Sequence, residues 1–395
     1  MTTIDLIYFN AGGGHRAAAL ALEAVIREQH RPWQVRLVNL TAVLDPGASF
    51  RKLTGLELED IYNQRLARGW TLGLAQEIKL VQSAIRLGHS ALVRLLQRHW
   101  LRTEPDLVVS LVPNFNRALY ESLAAALPGV PFVTVLTDMA NHPPNVWIVP
   151  GQDQHVVCGT DKAIAQAQDL GYRAPLLHQT SGMLIHPDFY RPAMPDRAAE
   201  RLRHGLDPDR PLGVVMFGGT GSRAMLGIAE RLPSTQLLLM CGHNRALADK
   251  LRCLPAQAPR LIVEFTTDVA DYLRLGDFFI GKPGPGSLSE AVQQGLPVIT
   301  VLNAWTMPQE RYNAQWVSEN GVGLVLRSFK EIAPAVRQMI GHLHVFRAKV
   351  KRIDNRAVFE LPDILCRILQ ASNQAHAGRS FPERLGTAIH DARAT

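Results

Sequence analysis

The sequence predicts an α/β protein made of two doubly wound halves, each a parallel sheet with crossover helices. Three observations point there. Short apolar runs alternate with helical patterns through both halves, the pattern of parallel strands joined by helices. Each half also contains a strand that feeds a glycine-rich turn and then a helix. Residues 11–15 read Ala-Gly-Gly-Gly-His, and residues 281–290 read Gly-Lys-Pro-Gly-Pro-Gly-Ser-Leu-Ser-Glu. Between the halves, residues 187–211 are rich in Pro, Asp and Arg, which marks a domain boundary.

The elements follow in order. Residues 4–10 read as the first strand, 11–15 as its turn and 16–29 as its helix. A strand over 35–40 precedes a basic helical stretch. A strand over 107–111 leads to a helix over 116–127, and a β-branched run over 131–136 ends in Thr137-Asp138. A short strand over 156–158 is followed by a helix over 160–170. The second half restarts with a strand over 212–217, the turn Gly218-Gly219-Thr220-Gly221-Ser222 and a helix to 232. Strands over 236–240, 260–265, 278–280 and 297–302 come next, with a helix over 288–294 after the second glycine-rich loop. Periodicity stops near 371, so 371–395 is expected to be a loose tail.

Bulk properties narrow the class. A chain of 395 residues holds two domains of ordinary size. With 47% hydrophobic and 19% charged residues it has the composition of a globular protein with real cores. No apolar run is long enough to cross a membrane, and the N-terminus lacks the basic region of a signal peptide. Cys158, Cys241, Cys253 and Cys366 show no metal-ligand spacing and no disulfide framework, as expected of reduced thiols in a cytoplasmic protein. The net charge of +7 favours an anionic partner, but no nucleic-acid-binding motif is present. Between 61 and 102 the basic residues Arg65, Arg68, Lys79, Arg86, Arg94, Arg98 and Arg102 meet a single acid, Glu77. Leucines, Trp70 and Trp100 are interleaved, which fits either a membrane-surface helix or a solvated basic face.

Ligands of open parallel sheets bind at the carboxyl ends of strands. His15, Asn114, Asp138, the 218–222 turn, His243, Thr266 and the 281–290 loop all fall there. A glycine-rich turn that opens a helix offers free backbone N–H groups and a positive dipole end, a natural seat for phosphate. Glu290, expected in the first turn of its helix, supplies a carboxylate able to accept hydrogen bonds from a vicinal diol.

Four motifs carry a resemblance. They are Gly12-Gly13-Gly14-His15-Arg16-Ala17; Gly242-His243-Asn244 with Leu247-Ala248; Lys282 with Gly284-Pro285-Gly286 and Ser289-Glu290-Ala291; and Gln309-Glu310 with Asn313. Residues 135–138 and His142-Pro143 add to it. On these the chain resembles the GT-B glycosyltransferases, within them the monogalactosyldiacylglycerol synthases and diacylglycerol glucosyltransferases, and more distantly the peptidoglycan N-acetylglucosaminyltransferase. The likeness runs from about residue 4 to about residue 327. It departs at 50–100, where a lipid acceptor would be chosen, and at the 218–222 turn, which has less glycine than the family's phosphate loop.

The resemblance implies two Rossmann-like domains facing a central cleft: 1–200 for acceptor and membrane docking, 201–370 for the UDP-sugar. It implies inverting transfer of a hexose from UDP-galactose or UDP-glucose to a lipid, diacylglycerol first, by an enzyme peripheral on the inner face of the cell membrane and bound to its anionic surface. His15 is the candidate base, since an imidazole titrates near neutrality and Gly13 and Gly14 leave room for an acceptor. Asp138 would orient His15 or be the base itself. Glu290 would hold the ribose; Gln309, Glu310 and Asn313 the sugar hydroxyls; Phe265 and Thr266 the uracil. Gly219, Thr220, Lys282, Gly284, Gly286 and Ser287 would hold the diphosphate. No Asp-x-Asp ends a strand, and Asp207-Pro208-Asp209 reads as a turn, so neither metal nor cofactor is expected. The competing readings are a UDP-N-acetylglucosamine 2-epimerase, a transferase with another acceptor, and a non-enzymatic nucleotide-sensing or membrane-docking module.

Overall fold

The central apolar runs form strands buried on both faces, as parallel sheets covered by helices require. The structure, a computed structural model, describes residues 1–10, 13–45, 82, 83, 85–192 and 194–379. Six strands build the first sheet: β1 (Thr2–Tyr8), β2 (Trp33–Asn39), β3 (Leu107–Ser110), β4 (Phe132–Val135), β5 (His155–Cys158) and β6 (Leu177–Gln179). Six more build the second: β7 (Leu212–Met216), β8 (Gln236–Gly242), β9 (Arg260–Glu264), β10 (Phe278–Gly281), β11 (Val298–Val301) and β12 (Gly323–Leu326). The orders are β2-β1-β3-β4-β5-β6 and β12-β11-β10-β7-β8-β9. Every pairing is parallel. Strand order reverses between β1 and β3 and again between β7 and β10, and a crevice opens at each such switch point. The expected pair of Rossmann-like domains is therefore present.

Local differences from the sequence reading have local causes. β6 and β12 escape it because both are short and only partly buried. The helix expected over 288–294 spans Pro285–Gln293, since proline is well suited to a first helical position. The helix expected over 16–29 spans Gly14–Glu28.

The loose tail expected from 371 is instead helical through Arg379, within a helix spanning Ala357–Arg379. Leu361, Ile364, Leu365, Ile368 and Leu369 recur at helical spacing and pack against Ile4, Leu6, Ala18, Leu22 and Ile26. The chain thus returns to the first domain at its end, and the expected division at 370 does not follow the packing. Residues 380–395 lie outside the described residues.

Part of the basic stretch is in view. Arg65, Arg68, Trp70 and Lys79 lie outside the described residues. The helix His89–Thr103 packs its inner face under the first sheet. Trp100 belongs to that face: it is wholly buried, and its indole donates to Ser122 Oγ at 2.8 Å. It cannot be an interfacial anchor. Arg86, Arg94, Arg98 and Arg102 are exposed, as are Leu87 and Leu101. Among the described residues no helix is long and apolar enough to cross a membrane.

The second domain is locked at the end of its sheet away from the cleft. Asp277, just before β10, accepts from the Leu212 N–H at 2.8 Å. It also pairs with Arg197 at 2.8 Å, Arg201 at 2.6 Å and Arg347 at 2.6 Å. Burial pushes the Asp277 pKa up, but the Leu212 N–H and the guanidiniums outweigh it and hold it at about 2. The helix Arg197–Arg203 is thereby fixed to the second domain. A carboxylate with a depressed folded pKa stabilises the fold fully above its ordinary value and loses that contribution as pH falls through about 2. Asp277→Ala strands three guanidiniums and should cost about 3–5 kcal/mol at neutral pH. Denaturant unfolding at several pH values should show the gap from wild type narrowing in acid; a constant gap would assign the loss to packing alone.

Candidate active site

A cleft of about 620 Å³ lies between the carboxyl ends of the two sheets, lined from both domains. On the first-domain side, Gly13 caps the helix Gly14–Glu28 with φ of 81° and no side-chain cap. Glycine reaches this left-handed conformation without the strain a side chain brings. Gly14 and His15 therefore stand in the first helical turn, and Gly13, Gly14 and His15 all line the cleft. The His15 Nδ1 lies 3.0 Å from the Thr137 hydroxyl, which fixes the ring. Trp147 packs beside His15 with ring centroids 5.9 Å apart. Its indole N–H donates to Asp138 Oδ2 at 2.9 Å. Thr137, not Asp138, is thus the side chain bonded to His15, and Trp147 stands between the two candidate bases.

Burial moves these two groups in opposite directions. It lowers the His15 pKa to about 4, with a backbone hydrogen bond at Leu111 only partly opposing it. It raises the Asp138 pKa to about 7; the Trp147 bond lowers it, Glu310 across the cleft raises it and Lys282 lowers it. Loss of water disfavours whichever form is charged, so an acid rises and an imidazole falls. The carboxyl, rather than the imidazole, comes to titrate near neutrality.

On the second-domain side the loops after β7 and β8 are joined. Gly242 has φ of 58°, and a Cβ there would lie 2.1 Å from the Gly219 carbonyl oxygen, so only glycine fits. The His243 N–H donates to that oxygen at 2.9 Å. Asn244 Nδ2 reaches the Thr220 carbonyl at 3.4 Å. Gly219 lines the cleft, but Thr220 does not, because its peptide is turned toward Asn244. His243 stacks on Phe265 at 3.9 Å and 17°. Phe265 is 57% exposed and lines the cleft with Thr266, whose hydroxyl accepts from the Asp268 N–H at 3.0 Å.

The helix Pro285–Gln293 begins at the cleft, and its cap residue Gly284 makes no side-chain cap. The first-turn N–H groups, with Gly286 and Ser287 at the cleft wall, are left for a ligand. Glu290 is the sixth residue of this helix, not a first-turn residue, because the helix starts earlier than expected. Its side chain lines the cleft, has no hydrogen-bond partner among the described residues, and is raised by burial to about 7. Lys282 Nζ donates to Glu310 Oε1 at 2.8 Å. Gln309 keeps a buried Oε1 without a partner at the same wall. Asn313 is fully buried behind the wall, where its amide donates to the Pro283 carbonyl at 2.8 Å. It shapes the loop and does not line the cleft.

The structure therefore brings His15, Asp138, Gly219, Phe265, Thr266, Lys282, Gly284, Gly286, Ser287, Glu290, Gln309 and Glu310 to one cleft and leaves out Thr220 and Asn313. Sequence reasoning missed Trp147 and the tie from Thr137 to His15. Neither has a spacing signal, since both arise where loops meet. Among the described residues no three His, Cys, Asp or Glu side chains converge as metal ligands.

Residues 214–345 match the glycosyltransferase family 28 C-terminal domain. The chain is similar to the chloroplastic monogalactosyldiacylglycerol synthase of Spinacia oleracea, 29% identical over 356 residues, covering 85% of this chain and 66% of that protein. Monogalactosyldiacylglycerol synthase 1 of Arabidopsis thaliana is 27% identical, covering 85% and 64%. The chain thus spans just under two thirds of the length of these relatives. Among solved structures, MurG of Acinetobacter baumannii matches with a TM-score of 0.57 at 14% identity, covering 93% of this chain and 100% of that one. WaaG, a glycosyltransferase involved in lipopolysaccharide biosynthesis, matches at 0.52 and 15%, covering 93% and 99%. The two domains and their cleft are the GT-B fold.

Glu290 should leave a thermodynamic mark. A carboxyl whose folded pKa is raised favours folding most below its ordinary value of 4.5, and that contribution is lost as pH rises through about 7. Glu290→Gln removes the loss. Its melting temperature should exceed that of wild type at pH 8 and converge with it at pH 5. Equal values at pH 8 would mean that water already solvates the carboxylate.

Proposed function

We propose that this chain, a GT-B protein with a family 28 glycosyltransferase C-terminal domain, is an inverting glycosyltransferase that moves a hexose from a UDP-sugar to a lipid hydroxyl, diacylglycerol first among the candidates. One observation carries the reading. An acid titrating near neutrality on one domain faces, across a single cleft, an uncapped helix N-terminus and an unpartnered carboxylate on the other.

The donor site follows from chemistry. A diphosphate is suited to the N–H groups at Gly286 and Ser287 and to the Gly219 loop, with the Lys282 ammonium beside it. The exposed face of Phe265 is a platform for uracil, and its other face is braced by His243. Glu290 accepts from the ribose hydroxyls, which repays its desolvation. Gln309 and Glu310 face the sugar. Thr220 and Asn313 act behind the wall, as loop supports.

The acceptor oxygen attacks the anomeric carbon from the face opposite UDP. Its proton passes to the Asp138 carboxylate as the new C–O bond forms. The bond from the anomeric carbon to the UDP oxygen breaks, and the helix N-terminus and Lys282 take up the charge, without a metal or cofactor. Asp138 at about 7 is matched to the base's task, and His15, neutral at that pH, hydrogen-bonds the acceptor. This reverses the preference drawn from unperturbed pKa values.

Two observations support the lipid. The relatives named above are monogalactosyldiacylglycerol synthases. The helix His89–Thr103 turns Arg94, Arg98, Leu101 and Arg102 outward, with Arg86 and Leu87 just before it. Cations around apolar side chains suit an anionic lipid surface, and we place the enzyme peripherally on such a surface, the inner face of the cell membrane. A UDP-N-acetylglucosamine 2-epimerase would share the donor site but need no such face.

Three experiments test the proposal. Asp138→Asn should lower turnover about a hundredfold or more and remove the limb of the pH–kcat/KM profile near 7, whereas His15→Ala should keep that limb. Loss of the limb in His15→Ala alone would return the base role to His15. Incubation with UDP-galactose or UDP-glucose and vesicles of diacylglycerol and phosphatidylglycerol should yield a glycolipid on thin-layer and mass analysis. Vesicle co-sedimentation should weaken with added salt and in the triple variant Arg94→Glu, Arg98→Glu, Arg102→Glu, with UDP affinity retained. UDP release independent of lipid would favour the epimerase reading.

A further inference from the structure

The stretch that carries the exposed cations touches a residue of the cleft wall through the side chain of Gln82. Gln82 Nε2 donates to Asn114 Oδ1 at 3.3 Å and to the Pro144 carbonyl at 3.2 Å. Asn114 stands in the loop after β3 and lines the cleft. Its φ is 69°, a left-handed conformation that asparagine tolerates and most residues avoid. Its own N–H donates to the Val146 carbonyl at 2.5 Å. Two residues on, the buried Asn116 donates to the Trp147 carbonyl at 2.9 Å and accepts from Ser110 Oγ at 2.6 Å. The loop after β3 thus holds the segment 144–147 by two backbone carbonyls, and Trp147 in that segment holds Asp138. On the other side of Gln82, Arg86 is exposed and Leu87 is 92% exposed, the most exposed leucine among the described residues.

We infer that the Gln82–Asn114–Pro144 contact is a latch that couples docking of the basic segment on an anionic lipid surface to the shape of the acceptor end of the cleft, with Asn114 as a positioning residue. This rests on the lipid-acceptor reading above. Gln82 touches none of the reacting groups. It ties the two loops together from outside, and its bonds are long and partly exposed. Such bonds bias a loop without being needed for the fold. A lipid headgroup held at Arg86 with Leu87 inserted would fix the backbone that carries Gln82. The loops at 113–116 and 144–147 would then be fixed with it. The acceptor end would be held in this shape most firmly at the surface where the acceptor is found.

The test uses the full chain and phosphatidylglycerol vesicles without acceptor. Hydrogen–deuterium exchange of 113–116 and 144–147 should slow when wild type binds vesicles. Gln82→Ala should sediment with vesicles as wild type does but lose that slowing. In assays with diacylglycerol in the vesicles, Gln82→Ala should raise the acceptor KM by about five- to tenfold with kcat and the donor KM unchanged. Two substitutions separate the latch from backbone strain. Asn114→Gly accepts the left-handed backbone but offers Gln82 no side-chain oxygen, and should lose the vesicle-induced slowing. Asn114→Asp keeps an oxygen for Gln82 and should retain it. The latch is overturned if wild type sediments with vesicles and neither loop slows, or if Gln82→Ala and Asn114→Gly match wild type in exchange and acceptor KM. Failure of wild type to sediment would instead overturn the lipid-surface reading, and the latch with it.

Discussion

Parallel pairing puts the carboxyl ends of all strands on one side of each sheet, and the segments that follow those ends build the cleft. His15 follows β1, Asn114 follows β3 and Asp138 follows β4. Gly219 follows β7, Phe265 follows β9 and Lys282 follows β10. The order reversals part the loops beside β1 and β7, which opens the two crevices that merge into the cleft. The glycines there serve geometry. Gly13 admits a left-handed turn at the first helix, and Gly242 admits contact between the β7 and β8 loops.

Enclosure by two domains then sets the chemistry. The same loss of water that lifts Asp138 and Glu290 to about 7 lowers His15 to about 4. The Asp138 environment is built by both halves: Trp147 from its own domain, Glu310 and Lys282 from the other. The way the two domains meet therefore sets the electrostatics of Asp138 as well as the shape of the cleft. Groups with such environments concentrate at functional sites, where stability is given up for reactivity.

The domains are tethered at more than one place. The chain crosses between 187 and 197 and crosses back before Ala357, where the last helix packs on the first sheet. Asn355, buried at the return crossing, donates to the Met183 carbonyl at 2.9 Å. Gln294 of the second domain reaches the Phe189 carbonyl at 2.6 Å, and Lys162 lies 4.8 Å over the Tyr312 ring. A continuous buried apolar cluster also runs from one domain into the other, through Met183, Ile185 and Phe189 to Leu288 and Val292.

The sequence by itself determined the alternation of strands and helices, the two glycine-rich turns, and the placement of His15, Asp138, Gln309 and Glu310 in the segments that follow strands. These are local signals: an apolar run, a turn composition, a spacing of a few residues. It also determined the surplus of cations between 61 and 102, though not that Trp100 in their midst is core. Tertiary structure decided the rest. Thr137 meets His15 across 122 residues of chain, and Gln82 meets Asn114 across 32. The last helix finds the first sheet although its final residues carry weak periodicity. Asn313 and Thr220 are expected at the cleft, yet the Asn313 amide donates to the Pro283 carbonyl, and the Thr220 carbonyl accepts from Asn244 behind the wall. The opposite pKa shifts of Asp138 and His15 could not be read from residue type, because they are set by how much water two separate domains exclude once they face each other.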